Sequence, residues 1–255
     1  VSAPATLQGE KEAIFADDLN VFKIFDRLID DENITSELDD TRRRVHRWGR
    51  LNRVQFEPSK EKLVIIHPAF ADPDQVFKLL GIIFDCRLNM TSDIDDILTR
   101  VRPKVKALLR TRNFYPVSEL IKQFKTHIWG LIEYHTPALF HCVKTQLDRL
   151  DNVQDRFLSE LDITPADALL TYNCAPLKTR RDIGMLGFLY KVAHRLTHPS
   201  FKNLFPFTAH QAGQFVDGHV RHDKQLSNRA NTIGFREDLW RRSVFDLVIV
   251  FNRLL

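Results

Sequence analysis

The sequence predicts an α+β chain in which interleaved strands and helices give way, after residue 90, to helices alone. Short apolar runs bounded by turn residues fill the first 85 positions, among them Ala13–Ala16 and Leu19–Phe22 on either side of Asp17-Asp18. Beyond Met90 the apolar residues recur three and four apart, the period of an amphipathic helix, and no further strand pattern follows.

Residues 1–10 have no usable period and read as a loose end. The next two runs predict a tight β-hairpin turning at Asp17-Asp18, although such turns favour Gly or Asn. Leu38, Thr41, Val45, Trp48 and Leu51 predict a helix over 35–54, capped by Thr35 or Ser36, with Arg42, Arg43, Arg44, Arg47 and Arg50 on its remaining surface. Leu63–Ile66 predicts a strand, and Phe77–Phe84, with Gly81 inside, another. Thr91 or Ser92 is then expected to cap a helix whose apolar face runs from Ile94 to Leu109. Its other face carries Arg100, Arg102, Lys104, Lys106 and Arg110, and Pro103 inside it predicts a kink. Further helices are expected over 117–133, 136–161, 179–197 and 236–254. Tyr172–Pro176 and the stretch 199–231 read as connections.

The composition excludes several classes. With 255 residues, 44% hydrophobic and 27% charged, the chain has an ordinary globular make-up and length enough for a sizeable core. No apolar run approaches the ~18–20 residues of a membrane span, so no membrane partner is expected. Cys86, Cys142 and Cys174 are an odd, scattered set and predict reduced intracellular thiols, nuclear or cytoplasmic, with no disulfide framework. No Cys-x-x-Cys, Gly-x-Ser-x-Gly or Gly-x-x-x-x-Gly-Lys pattern occurs, which argues against a zinc ribbon, an α/β-hydrolase and a phosphate-binding P-loop. The net charge of +4 is unevenly placed, −5 over residues 1–100 and +9 over 101–255, a prior for nucleic-acid contact by the second part. The chain begins at Val1, and its only methionines are Met90 and Met185, so a fragment or processed product is expected.

The chemistry-bearing pattern is Phe15-Ala16-Asp17-Asp18. Adjacent carboxylates at a tight turn repel each other, and a hard divalent cation with oxygen ligands relieves that repulsion. Two such ions ~3.5–4 Å apart can activate an attacking oxygen and stabilise a leaving one in phosphoryl transfer. Downstream come Asn52 to Lys60 with Pro58-Ser59-Lys60, then Phe77 to Asp85 with Leu80-Gly81, then the basic helix from Ser92.

In this order and spacing the chain resembles the reverse transcriptase of non-LTR retrotransposons over nearly its whole length. The resemblance implies a partial polymerase palm of antiparallel strands with a helix, followed by an all-helical thumb and C-terminal region. It divides the chain into a palm with primer-grip hairpin at 1–90, thumb-like helices at 91–135 and a helical C-terminal region at 136–255. Asp17 and Asp18 match the aromatic-x-Asp-Asp motif and imply Mg²⁺ ligands, with Mn²⁺ as a substitute. Lys60 matches the lysine that protonates the leaving pyrophosphate, although Glu61 follows where the family often has Thr. Phe77 to Ile82, with Lys78, Leu80 and Gly81, resemble the primer grip, and Arg102, Lys104 and Lys106 are expected phosphate contacts on the thumb. Leu150–Gln154, Ala175–Asp182 and Asn203–Pro206 resemble segments that follow the thumb in many retroelements.

The implied activity is two-metal transfer of dNTPs onto a primer 3′ end, with an RNA template and DNA primer as partners. The family's earlier palm aspartate and glycine-rich segment find no match, so this chain alone is expected not to polymerise. The rival expectations are a non-catalytic nucleic-acid-binding remnant and a helical protein-interaction module. Trp48, Phe114, Tyr115 and Trp129 are candidates to stack on bases, although their apolar neighbours place most of them in the core.

Overall fold

The computed structural model describes residues 10–15, 18–25, 30–66, 75–208, 215–216, 219–220, 224–227 and 241–254. The fold is α+β and mainly helical, with small antiparallel strand pairs. It divides into two compact units, residues 1–65 and 66–255.

In the first unit, β1 (Glu10–Phe15) pairs antiparallel with β2 (Asp18–Lys23) from Glu10↔Lys23 to Phe15↔Asp18. Asp18, expected in the turn, belongs to the ladder instead, opposite Phe15. Asp17 lies outside the described residues. Helix α1 (Asp31–Asn52) starts earlier than expected. Asp30 caps it, its carboxylate accepting the Asn33 N–H at 3.0 Å, while Thr35 and Ser36 lie inside the helix. A carboxylate there satisfies an orphan donor and complements the positive end of the helix dipole. Lys23 pairs with Glu37 and ties β2 to α1.

After α1 the chain doubles back through Arg53, which has φ 58°. Gly49 makes this possible, since a Cβ there would stand 2.7 Å from the Phe56 ring and from the Val54 carbonyl. Phe56 then packs against Trp48 and His46. Pro58–Lys60 forms one 3₁₀ turn. The strand expected at Leu63–Ile66 does not form. Its apolar side chains Leu63, Ile65 and Ile66 are exposed, and no described segment offers it a ladder.

The second unit opens with a hairpin. The run Phe77–Phe84, expected as one strand, folds at Leu80-Gly81 into β3 (Val76–Leu79) and β4 (Ile82–Asp85). Helix α2 (Thr91–Arg110) follows and continues through Pro103. Its expected caps Thr91 and Ser92 sit in its first turn. The position before them is Met90, at φ 61°, whose N–H donates to the Asp85 carboxylate at 2.6 Å. Asp85 also accepts the Arg87 and Asn89 N–H groups at 3.0 Å each, so one buried carboxylate organises the whole approach to α2.

Helix α3 (Val117–Phe124), a π turn at Lys125–Trp129 and α4 (Gly130–Tyr134) fill the helix expected at 117–133. The helix expected at 136–161 is two, α5 (Thr136–Leu139) and α6 (Lys144–Ser159), separated near Cys142. Helix α7 (Pro165–Tyr172) was not expected. Thr164 caps it and accepts the Asp167 N–H at 3.1 Å. Helix α8 (Leu177–Ala193) starts two residues earlier than expected. The stretch read as a connection holds α9 (Phe201–Leu204) and the short pair β5 (Phe215–Val216) and β6 (His219–Val220). Helix α10 (Leu247–Leu254) is the described part of the helix expected at 236–254, and residues 228–240 lie outside the described residues.

Two apolar clusters hold this unit. The larger joins α2 to α3, α4 and α6 through residues such as Ile97, Leu98, Phe124, Ile132 and Phe157, with the Phe124 and Phe157 rings stacked at 4.4 Å. The smaller joins Leu189 and Val192 of α8 to Phe205, Leu226 and Phe251. One polar pair crosses the larger cluster. Asp93, fully buried in the first turn of α2, accepts the Ile83 N–H at 2.8 Å and meets His135 Nδ1 at 2.7 Å. Removing one partner of a buried pair strands the other. Asp93→Ala is expected to destabilise residues 66–255 by about 3 kcal/mol in urea unfolding, and Asp93→Asn, which keeps an acceptor oxygen, by less.

All three cysteines are buried and none forms a disulfide. Burial pushes the Cys142 thiol up to about 12, with the Asp85 and Asp93 carboxylates adding to the shift, and burial also raises Cys174. These thiols stay protonated in the fold at a pH where an unfolded chain has ionised them. Their contribution to stability is therefore present below the ordinary thiol value and falls as pH rises from about 9 toward 12. At pH 8 the native chain is expected to react with Ellman's reagent at least a hundredfold slower than the chain in denaturant.

Candidate nucleic-acid interface

The expected site residues fall in both units. Asp18 opens β2, and Lys60 ends the exposed 3₁₀ turn after α1. In the second unit, Lys78 is exposed on β3, and Leu80 and Gly81 form the tip of the hairpin. Both tip residues have positive φ, 50° and 86°, the requirement of a type I′ turn. Gly81 meets it freely, whereas for Leu80 the left-handed region costs on the order of 1 kcal/mol. The Tyr134 hydroxyl at the end of α4 donates to the Leu80 carbonyl at 2.6 Å and holds the tip in place.

Helix α2 turns Ile94, Ile97, Leu98, Val101 and Val105 inward and leaves Arg102, Lys104 and Lys106 exposed. These three cations do not share one flank. At ~100° per residue, Arg102, Lys106 and Arg110 are four apart and form one stripe about 12 Å long, while Lys104 lies on the opposite flank beside Arg100. The acids that begin the helix are engaged elsewhere, Asp95 by Arg149 and Asp96 by Arg100. From there to Glu119 the sequence holds no acidic residue. Arg102, Lys106 and Arg110 make no ion pair among the described residues. Along the helix axis Lys104 stands about 16 Å from Asp93, the point where α2 meets the hairpin.

Other basic residues of this unit face inward. Arg181 of α8 is buried and holds both oxygens of Asp151, at 2.6 and 2.8 Å. Arg180 pairs with Glu133 and lies over the Trp129 ring, 3.6 Å from its centroid. Trp129 is itself buried and donates its Nε1–H to Gln154 at 2.8 Å, so its face is not open to a base. Phe114 and Tyr115 differ: expected mostly in the core, they are 81% and 57% exposed just beyond the C-terminus of α2. The sequence signal for them was the end of the acid-free basic stretch, followed at once by Pro116.

The ion that the resemblance implies is Mg²⁺. Asp17 and Asp18 supply hard oxygen ligands of the right kind, but two adjacent carboxylates are too few to bridge two ions. Among the described residues no group of three or more His, Cys, Asp or Glu side chains converges. No helix of the described residues is long and apolar enough to cross a membrane.

The hairpin tip yields a direct test. Leu80→Asn creates the Asn-Gly pair preferred in type I′ turns and relieves the strained φ. It is expected to raise stability by about 1 kcal/mol in thermal unfolding.

No protein family, curated protein or solved structure matches this chain.

Proposed function

We propose that this chain is the palm and thumb part of an RNA-directed DNA polymerase of the non-LTR retrotransposon type, and that it holds the template–primer duplex by its phosphates. The observation that carries the proposal is the outer face of α2 beyond Asp96, exposed, rich in Arg and Lys, with no acid in the sequence from there to Glu119. Such a surface exchanges condensed counterions for its own cations without reading sequence. The hairpin that leads into α2 supports the same reading, because Lys78 on β3 and Leu80 and Gly81 at the tip are the residues the resemblance matches to a primer grip.

The catalytic assignment rests on the resemblance. Asp17 and Asp18 would hold Mg²⁺, or Mn²⁺ in its place, and supply the hard oxygen donors of nucleotidyl transfer. Lys60 would be the proton donor to the leaving pyrophosphate of a dNTP. No catalytic step is assigned to two carboxylates alone, since they leave a two-metal site short of ligands.

The alternative is a non-catalytic nucleic-acid-binding remnant of a retroelement. The two readings share the binding surface and differ in chemistry.

Binding of an RNA–DNA duplex, measured by anisotropy across a salt series, is expected to weaken steeply with salt. Replacing Arg102, Lys106 and Arg110 together with Gln should flatten the log–log slope by about three, roughly one per phosphate contact. Lys104→Gln, on the other flank, should flatten it by one at most. A chain that binds no duplex at low salt would overturn the proposal in favour of a protein-interaction module. On poly(rA)–oligo(dT) the 255-residue chain is expected to incorporate no dNTP. Sustained incorporation, abolished by Asp17→Ala, would instead establish the polymerase reading directly.

A further inference from the structure

We propose that Phe114 and Tyr115 form a stacking platform for unpaired bases, placed where the basic stripe of α2 ends. The inference rests on the nucleic-acid reading above and names the form of nucleic acid that this end of the surface takes, a single-stranded overhang. Large aromatic rings left in water are unfavourable unless a partner covers them. Phe114 is 81% exposed and Tyr115 57%, and neither has an aromatic neighbour among the described residues.

The turn that carries the rings is held firmly. The Thr111 N–H and hydroxyl both donate to the Leu108 carbonyl, at 3.0 and 2.8 Å, and the Phe114 N–H donates to the Thr111 carbonyl at 2.9 Å. Arg112, between them, is pinned to Glu160 at the end of α6 by a 2.9 Å ion pair. Pro116, at φ −64°, then starts α3. A ring on a fixed turn loses little freedom when a base stacks on it, which is how a platform gains affinity.

Charge selects the occupant. An apolar protein groove would suit two bare rings, but these follow a stretch of six Lys and Arg with no acid between Asp96 and Glu119. A partner that is both polyanionic and rich in flat π faces is a nucleic-acid strand. Its backbone would follow Arg102, Lys106 and Arg110, spaced about 6 Å apart along the helix. Bases inside a duplex have their faces occupied by their neighbours, so the rings serve only bases that are unpaired.

The test uses the whole 255-residue chain and three fluorescent probes: a blunt RNA–DNA duplex, the same duplex with a ten-nucleotide overhang, and an oligo(dT) strand. Wild type is expected to prefer the overhang to the blunt duplex. The Phe114→Ala/Tyr115→Ala double variant should bind the overhang and oligo(dT) about tenfold more weakly or worse, with blunt-duplex affinity unchanged. Phe114→Tyr, which keeps a ring, should retain binding. Because both side chains are exposed, the melting temperature should stay at the wild-type value. Wild-type affinity of the double variant for oligo(dT) would overturn the platform and leave the duplex-binding reading standing. Failure of wild type to bind any of the three probes would overturn both.

Discussion

Asp93 brings a carboxylate with no solvent exposure into the interior of residues 66–255, and the arrangement of that unit follows from how it is satisfied. Placing such a group out of water costs several kcal/mol unless close donors replace the lost hydration. Its donors are the Ile83 N–H from β4 and the imidazole of His135 at the junction of α4 and α5. Three elements, one of them some forty residues downstream, are thereby tied to one point. The apolar stripe of α2 can seat against α3 and α6 in many nearly equivalent ways, but only one of them brings Asp93 to both partners. Asp85 does the same for the approach to α2 by collecting three backbone N–H groups in five residues. The hairpin therefore stands at a set position relative to the start of the basic helix, as a surface that grips one ligand with both would need.

Interior pairing also decides where positive charge can act. The helix α8 looks as basic as α2 over its first turns, with Lys178, Arg180 and Arg181. Yet Arg181 is consumed by Asp151, and Arg180 by Glu133 and the face of Trp129. Their role is to clamp α8 to α6 and α4, and Gln154 extends the clamp by accepting from Trp129 and donating to the Ala175 carbonyl. On α2 the pattern is reversed. Its acids lie at the N-terminal end and are paired there, so the cations of its second half face solvent.

The hairpin tip shows strain and anchoring together. Leu80 takes a left-handed backbone that an Asn would adopt more cheaply, and Tyr134 holds its carbonyl. A strained residue kept rigid from a second element is a familiar property of functional surfaces. The Leu80 side chain is exposed, so its own burial does not offset that strain.

Much of this was legible from residue order. The apolar spacing of Ile94 to Leu109 located α2, and the short apolar runs flanking Asp17-Asp18 located the first hairpin, whereas the second read as a single strand from its residues and as a hairpin only through the resemblance. The misses have a common cause. The strand at Leu63–Ile66 required a ladder partner, the break near Cys142 required knowledge of packing, the cap of α1 came from Asp30, upstream of the obvious Thr and Ser, and α2 starts after Met90 with no side-chain cap at all. Most of the four aromatics Trp48, Phe114, Tyr115 and Trp129 were placed in the core by their apolar stripes, yet Phe114 and Tyr115 are exposed, because periodicity does not tell an apolar residue that is covered from one that is not. By itself the sequence determined the α+β class and the acid-free basic stretch, because period and charge are local properties of the chain. Which of its many arginines remain available was decided only by tertiary structure. A cation is free or consumed according to whether an acid or a ring thirty or more residues away folds within reach of it.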